Sequence, residues 1–175
     1  MNLPTVSSPT LLIALLVPLI GAVGVMVRGR DENIREGISC VASLILFGLV
    51  LSLIPDIRHG RTLVFSLFTL LPGVSITLRA DAMSMIFAIV ASSLWTIAVF
   101  YSMGYMRSLK EHAQTRFNAC FALAIFGAIG VAFSDNLFTM YLFYEIVSVC
   151  TYPLVAHHQD EEGYHGARKY IIYLT

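Results

Sequence analysis

The spacing of its charges constrains this sequence more than any other feature. The 11 Lys and Arg and 11 Asp and Glu residues gather into short clusters. Between the clusters run stretches of about eighteen residues or more that hold one charge at most, the length that crosses a hydrocarbon core of about 30 Å as a helix. Such a stretch satisfies its backbone polar groups within itself and presents its side chains to lipid. Composition agrees, since 57% of the residues are hydrophobic, 13% are charged and the mean hydropathy is +0.77, well above the range of water-soluble domains. The charges cancel, and no nucleic-acid-binding motif is present. These features predict an all-α polytopic membrane protein with five full transmembrane helices and the start of a sixth.

The predicted spans cover residues 10–27, 37–54, 82–106, 117–133 and 137–156, with a helical start over 167–175. A charged cluster, 28–36, separates the first two, and Pro55 with Asp56 marks the exit of the second. Asp81 stands at the N-cap of the third, where a carboxylate accepts from free backbone N–H groups and suits the helix dipole. Ser134, Asp135 and Asn136 form a turn so short that the fourth and fifth spans must be antiparallel neighbours, and Asp135 is expected to act as a helix cap. Residues 55–80 hold no run long enough to span. There 74–79 alternate apolar and polar, Pro72 and Gly73 supply a turn and 63–65 are β-prone, which predicts an exterior β-hairpin between helices 2 and 3; an interfacial helix over 62–70 is the competing assignment.

Orientation follows from the basic residues. Arg28, Arg30, Arg35, Arg107, Lys110, Arg116, Arg168 and Lys169 lie on one side of the predicted membrane, and Arg58, Arg61 and Arg79 on the other. Eight against three places the N-terminus and the hairpin outside. No Lys or Arg precedes the first apolar run, which therefore lacks the basic start of a secretory signal and reads as a retained span. Cys40, Cys120 and Cys150 each sit in an apolar run without metal or redox spacing, as packing residues do. The aromatic residues Trp95, Phe100, Tyr101 and Tyr105 are expected to face lipid or the interface.

One residue concentrates the chemistry. Glu145 is the only Asp, Glu, Lys, Arg or His side chain well inside a predicted span, and near the bilayer midplane a carboxylate costs about 3 kcal/mol or more. It must be neutral, paired or set in a wet interior. Tyr141, Glu145, Ser148 and Tyr152 follow at spacings of four, three and four, a single polar helical stripe. Pro153, at the end of that stripe, cannot donate to the carbonyl of Val149 and should break or loosen the helix there. Two readings of Glu145 stand: a proton-loading carboxylate, or a protonated packing residue joining two helices. The group His157, His158, Asp160, Glu161, Glu162 and His165 has no recognised metal spacing and reads as a solvated loop. Gly127 and Gly130, with Ala124, Ala128 and Ala132, supply small faces for close helix packing.

Over residues 76–175 the sequence resembles a known family, the antiporter-like membrane subunits shared by NADH:quinone oxidoreductase (complex I), Mrp-type cation/proton antiporters and membrane-bound hydrogenases. The resemblance lies in Asp81-Ala82-Met83-Ser84, then Tyr101-Ser102-Met103-Gly104-Tyr105-Met106, Ser134-Asp135-Asn136-Leu137, Phe143-Tyr144-Glu145 and Ala167-Arg168-Lys169-Tyr170, in that order on successive spans. It implies that Glu145 is the ion-path glutamate of the fifth span, which in the family pairs with a lysine on a later helix. It implies a proton or Na+ translocating subunit, a proton being loaded and released as the cation approaches and withdraws. Residues 1–80 then form two N-terminal spans and the exterior hairpin, and 81–175 the third span and the start of the ion-translocating domain. Because about fourteen spans make a family subunit, the chain is expected to be an N-terminal part, or a split or truncated product. The expected partners are a C-terminal remainder and other membrane subunits of a complex in the cell (inner) membrane. No motif for NADH, flavin, quinone or an iron–sulfur cluster is present, so no cofactor and no catalytic site of its own are expected. A scaffold or assembly subunit that conducts no ions is the competing function.

Overall fold

The structure, a computed structural model, describes residues 5–29, 31–71, 74–109, 113–156 and 161–174. A short strand, β1 (Thr5–Ser7), precedes helices α1 (Pro9–Arg28) and α2 (Glu32–Arg58). Strands β2 (Thr62–Leu71) and β3 (Val74–Ala80) follow, and then helices α3 (Ala82–Leu109), α4 (Gln114–Ala132), α5 (Leu137–Val155) and α6 (Glu161–Leu174). Helices α1 to α5 are long and apolar enough to cross a membrane. The chain is a multi-pass helical membrane protein with a small sheet between α2 and α3.

Each helix begins where the sequence stops opposing it. Pro9 opens α1 at a position whose N–H needs no partner, and Asp81 opens α3 by accepting from the Ser84 N–H at 2.9 Å. The expected exit of α2 at Pro55 is corrected by one turn: the helix runs on to Arg58, because a proline so near the C-terminus forfeits only one bond, to the Leu51 carbonyl. The start of α2 is also earlier than expected, so Arg35 and Glu36 lie in its first turns and are buried.

α1 packs between α2 and α4, α3 packs on α2 and α4, and α5 lies along α4 with α6 on its far side. The core between the first four helices is built from Leu11 and Leu15 of α1, Leu46 and Val50 of α2, Val99 of α3 and Ile129 of α4. Trp95 is part of it, at 1% exposure, which corrects its expected lipid-facing position. Its α3 neighbours Phe100, Tyr101 and Tyr105 are exposed, as expected. Both faces of α3 are apolar, so hydropathy alone does not distinguish them.

The expected hairpin forms, with β2 and β3 antiparallel and the register shifted between Ser66 and Phe68 and between Thr69 and Leu71. The turn at Pro72 and Gly73 lies outside the described residues. β1 adds a parallel third strand to β2, pairing Thr5 with Thr62 and Ser7 with Val64. Three residues are too few to show a periodicity, so β1 was not legible in sequence. The free edge of β3 is covered by the α4–α5 turn: the Arg79 N–H donates to the Phe133 carbonyl at 2.6 Å and the Asp135 N–H to the Thr77 carbonyl at 3.0 Å. An edge so covered is not open to pairing with another chain.

The opposite end of the bundle is closed by side chains. Arg35 donates to the Gln114 side-chain oxygen and to the Gly29 carbonyl, Thr115 donates to the same carbonyl at 2.8 Å, and Gln114 donates to the Met106 carbonyl at 3.3 Å. Ends of α1, α2, α3 and α4 thus meet at one buried polar node.

Candidate ion-translocation site

α5 is held in place from its first residue. The Asn136 side chain accepts from the Thr139 N–H at 2.8 Å and donates to the Ser75 carbonyl at 2.8 Å, so it caps α5 and ties it to β3 at once. Asn136, not Asp135, is therefore the cap. The Asp135 carboxylate instead faces Arg79 at 3.5 Å across the hairpin edge, because the extended backbone at 136 points the neighbouring side chain away from the helix.

Contact with α4 sets the depth of the helix. The Phe143 ring lies over Gly130, and Val147 lies over Gly127, where an added Cβ would come within 2.6 Å of Val147 Cγ2 and 3.0 Å of the Phe143 carbonyl oxygen. Phe126 meets Phe143 edge-on at a centroid distance of 5.6 Å. Gly127 thus brings two backbones into contact, and Gly130 makes room for the Phe143 ring.

On this fixed helix Glu145 is the ninth of 19 residues and is half-buried. The Tyr141 side chain, one turn before it, lies beside its carboxylate. Among the described residues no Lys, Arg or His nitrogen lies within 4.0 Å of it. Ser148 is fully buried, but its hydroxyl donates to the Tyr144 carbonyl of its own helix at 3.0 Å. Tyr152 is half-buried. Thus Tyr141 and Glu145 are brought together, and Ser148 spends its donor on the backbone. α5 continues past Pro153 to Val155, and Thr151 donates to the carbonyls of Val147 and Ser148 at 2.8 and 3.1 Å, so a hydroxyl takes up acceptors in the stretch before the proline.

A second stripe, Tyr144, Ser148 and Thr151 at spacings of four and three, was not singled out from sequence. Its outer members reach α6: Tyr144 donates to the Leu174 carbonyl at 3.2 Å, and the hydroxyls of Thr151 and Tyr170 meet at 2.8 Å. The signal was present in the spacing, but only the position of α6 tells which of two adjacent polar stripes is covered. An open apolar groove of about 750 Å³ flanks Tyr141 and Tyr144 and runs to Leu137 and Val131. Of the histidine-rich segment, His157, His158 and Asp160 lie outside the described residues, and His165 is exposed on α6. Among the described residues no three His, Cys, Asp or Glu side chains converge as metal ligands.

A multi-pass bundle with an edge-covered hairpin, followed by an antiparallel helix pair bearing a mid-span glutamate, fits what the resemblance to antiporter-like membrane subunits implies. Comparison with known proteins supports the resemblance to that family. Residues 72–118 match the family described as NADH-ubiquinone oxidoreductase (complex I), chain 5 N-terminus. Subunit A1 of a Na+/H+ antiporter from Staphylococcus haemolyticus is 31% identical over 166 residues, 91% of this chain and 20% of that protein. The subunit A1 of Staphylococcus aureus is 29% identical over the same share. A chain of the membrane-bound sulfane sulfur reductase, an archaeal respiratory membrane complex, superposes with a TM-score of 0.76 at 25% identity, over 93% of this chain and 25% of that one. The chain therefore spans about a fifth of the length of the curated relatives it matches.

Proposed function

We propose that the chain takes part in proton or Na+ translocation within a multi-subunit complex of the cell (inner) membrane, with Glu145 as the carboxylate that loads and releases the ion. The observation that carries this is a lone carboxylate in the middle of α5, one turn from Tyr141 and without a cationic partner among the described residues. So costly a group is kept in a membrane span for ion or proton transfer far more often than for packing. Tyr152 and Pro153 lie farther along the same helix and extend the polar path toward its end, while Ser148 lines it from the buried side. The cation that alternately approaches and leaves Glu145 comes from a segment or subunit outside these residues, and the open groove beside Tyr141 and Tyr144 leaves room for a helix that carries it. Residues 81–175 begin the ion-translocating unit, and residues 1–80 brace it. The N-terminus and hairpin face outward, as the eight-to-three asymmetry of basic residues requires.

Glutamine at position 145 keeps shape and hydrogen bonding but cannot titrate. In the assembled complex, Glu145→Gln is expected to reach normal abundance and to lose most proton-coupled transport, at least about tenfold, whereas Glu145→Asp retains part of it. Transport measured in inverted vesicles checks this. Full activity of the Gln variant at normal abundance returns Glu145 to packing and the chain to a non-conducting scaffold.

A further inference from the structure

Away from Glu145, the outer faces of α1 and α2 form a groove that the transport assignment does not use. Two lobes of about 630 and 420 Å³ share Ile20, Gly24 and Ile38 and so form one channel, open along its length. On α1 it runs from Val17 to Arg28 and on α2 from Ile34 to Ile45. We infer that this groove holds an acyl chain of an anionic phospholipid, whose phosphate pairs with Arg28.

Three observations select this occupant. The first is length: eleven residue steps at about 1.5 Å give about 16 Å, which is one leaflet of a hydrocarbon core of about 30 Å. α1 continues beyond the groove to Pro9 and α2 to Arg58. A spanning helix would need both halves, whereas a lipid tail needs one. The second is charge. Arg28 is the last residue of α1, lies at the end of the groove and has no ion-pair partner among the described residues. A guanidinium there suits a phosphate through paired hydrogen bonds, and basic residues between transmembrane helices are a recurrent means of holding anionic headgroups. The third is depth. The helices touch at Gly21, where an added Cβ would lie 2.9 Å from the Ala42 Cβ, but at Gly37, which lines the groove, an added Cβ meets nothing within 4 Å. The floor is therefore closed and the wall open, and every residue lining it other than Arg28 is apolar or glycine.

The full chain, placed in nanodiscs of equal parts phosphatidylglycerol and phosphatidylcholine and released for native mass spectrometry, tests this. The wild type is expected to retain phosphatidylglycerol over phosphatidylcholine by about fivefold, the effect of one basic residue at an anionic surface. Arg28→Gln should retain the two lipids equally. Gly37→Leu, whose side chain enters open space, should retain neither, with folding checked by circular dichroism. A photo-crosslinker at position 37 in cell membranes should label lipid. Equal retention of both lipids by the wild type, or crosslinking of position 37 to a protein segment, overturns the assignment, and the Arg28→Gln arm decides it if Gly37→Leu does not fold.

Discussion

Asp81 shows how one side chain is recruited for a local task. Its carboxylate is held below the ordinary value of 3.8 chiefly by the hydrogen bond from the Ser84 N–H, with burial opposing and the Ser84 hydroxyl and Arg79 charge assisting. A carboxylate lowered in the folded state contributes stability that is complete above its unfolded value and is lost as pH falls through the folded one. Thermal melts should therefore show stability falling below pH 3.8 in part through this residue. Asp81→Ala should lose about 0.5–2 kcal/mol at neutral pH and show a shallower acid decline, while Asp81→Asn, which keeps the acceptor, should lose less at neutral pH. Asp135, with the same side chain and a similar place in the sequence, does something else, because Asn136 beside it has the extended backbone of the cap and leaves Asp135 to face Arg79.

Between elements, the α4–α5 contact is the one that places Glu145. At Gly130 the atoms nearest an added methyl belong to the Phe143 ring, a side chain that can be trimmed; at Gly127 they are Val147 Cγ2 at 2.6 Å and two backbone atoms of α5, the Phe143 oxygen at 3.0 Å and the Val147 nitrogen at 3.1 Å. Gly130→Ala and Gly127→Ala should each cost about 1–3 kcal/mol. Adding Phe143→Leu should restore much of the stability of Gly130→Ala and none of that of Gly127→Ala, because only the first clash is with the Phe143 ring. The monodisperse fraction remaining after heating in detergent measures both. Rescue of Gly127→Ala by Phe143→Leu would mean that the helices are farther apart than described.

Across the whole molecule, the sheet lies at one end of the bundle and the Arg35–Gln114 node at the other. Arg35 is 4% exposed, and its Nε has no hydrogen-bond partner among the described residues, so the bond to Gln114 matters to a charge already short of partners. Gln114→Leu should cost about 1–3 kcal/mol by leaving a buried donor unsatisfied, and Arg35→Met combined with Gln114→Leu should cost less than the single change. Thermal unfolding of the two variants side by side checks the order. The two ends also make the topology testable. In a chain with its native cysteines replaced, Cys at Arg58 should react with an impermeant reagent from outside and Cys at Glu32 only after permeabilisation, since these positions mark opposite ends of α2. Labelling of both from one side would remove α2 as a span.

The sequence by itself determined the number of spans, the hairpin and the singular position of Glu145, because length, alternation and the cost of a charge in lipid are properties of consecutive residues. The helix ends were less legible: proline at 55 and the charges at 32–36 read as stops, yet a helix tolerates a proline in its last turn and charges in its first when tertiary partners receive them. What only the tertiary structure decided was which face each helix covers. Trp95 went to the core rather than to lipid, Arg35 found Gln114 across 79 positions of sequence, and the stripe of Tyr144 and Thr151 was covered by α6 while Tyr141 stayed open beside Glu145. In a membrane both faces of a helix are apolar, so the contrast that reveals the buried face of a soluble helix is missing, and packing alone makes the choice.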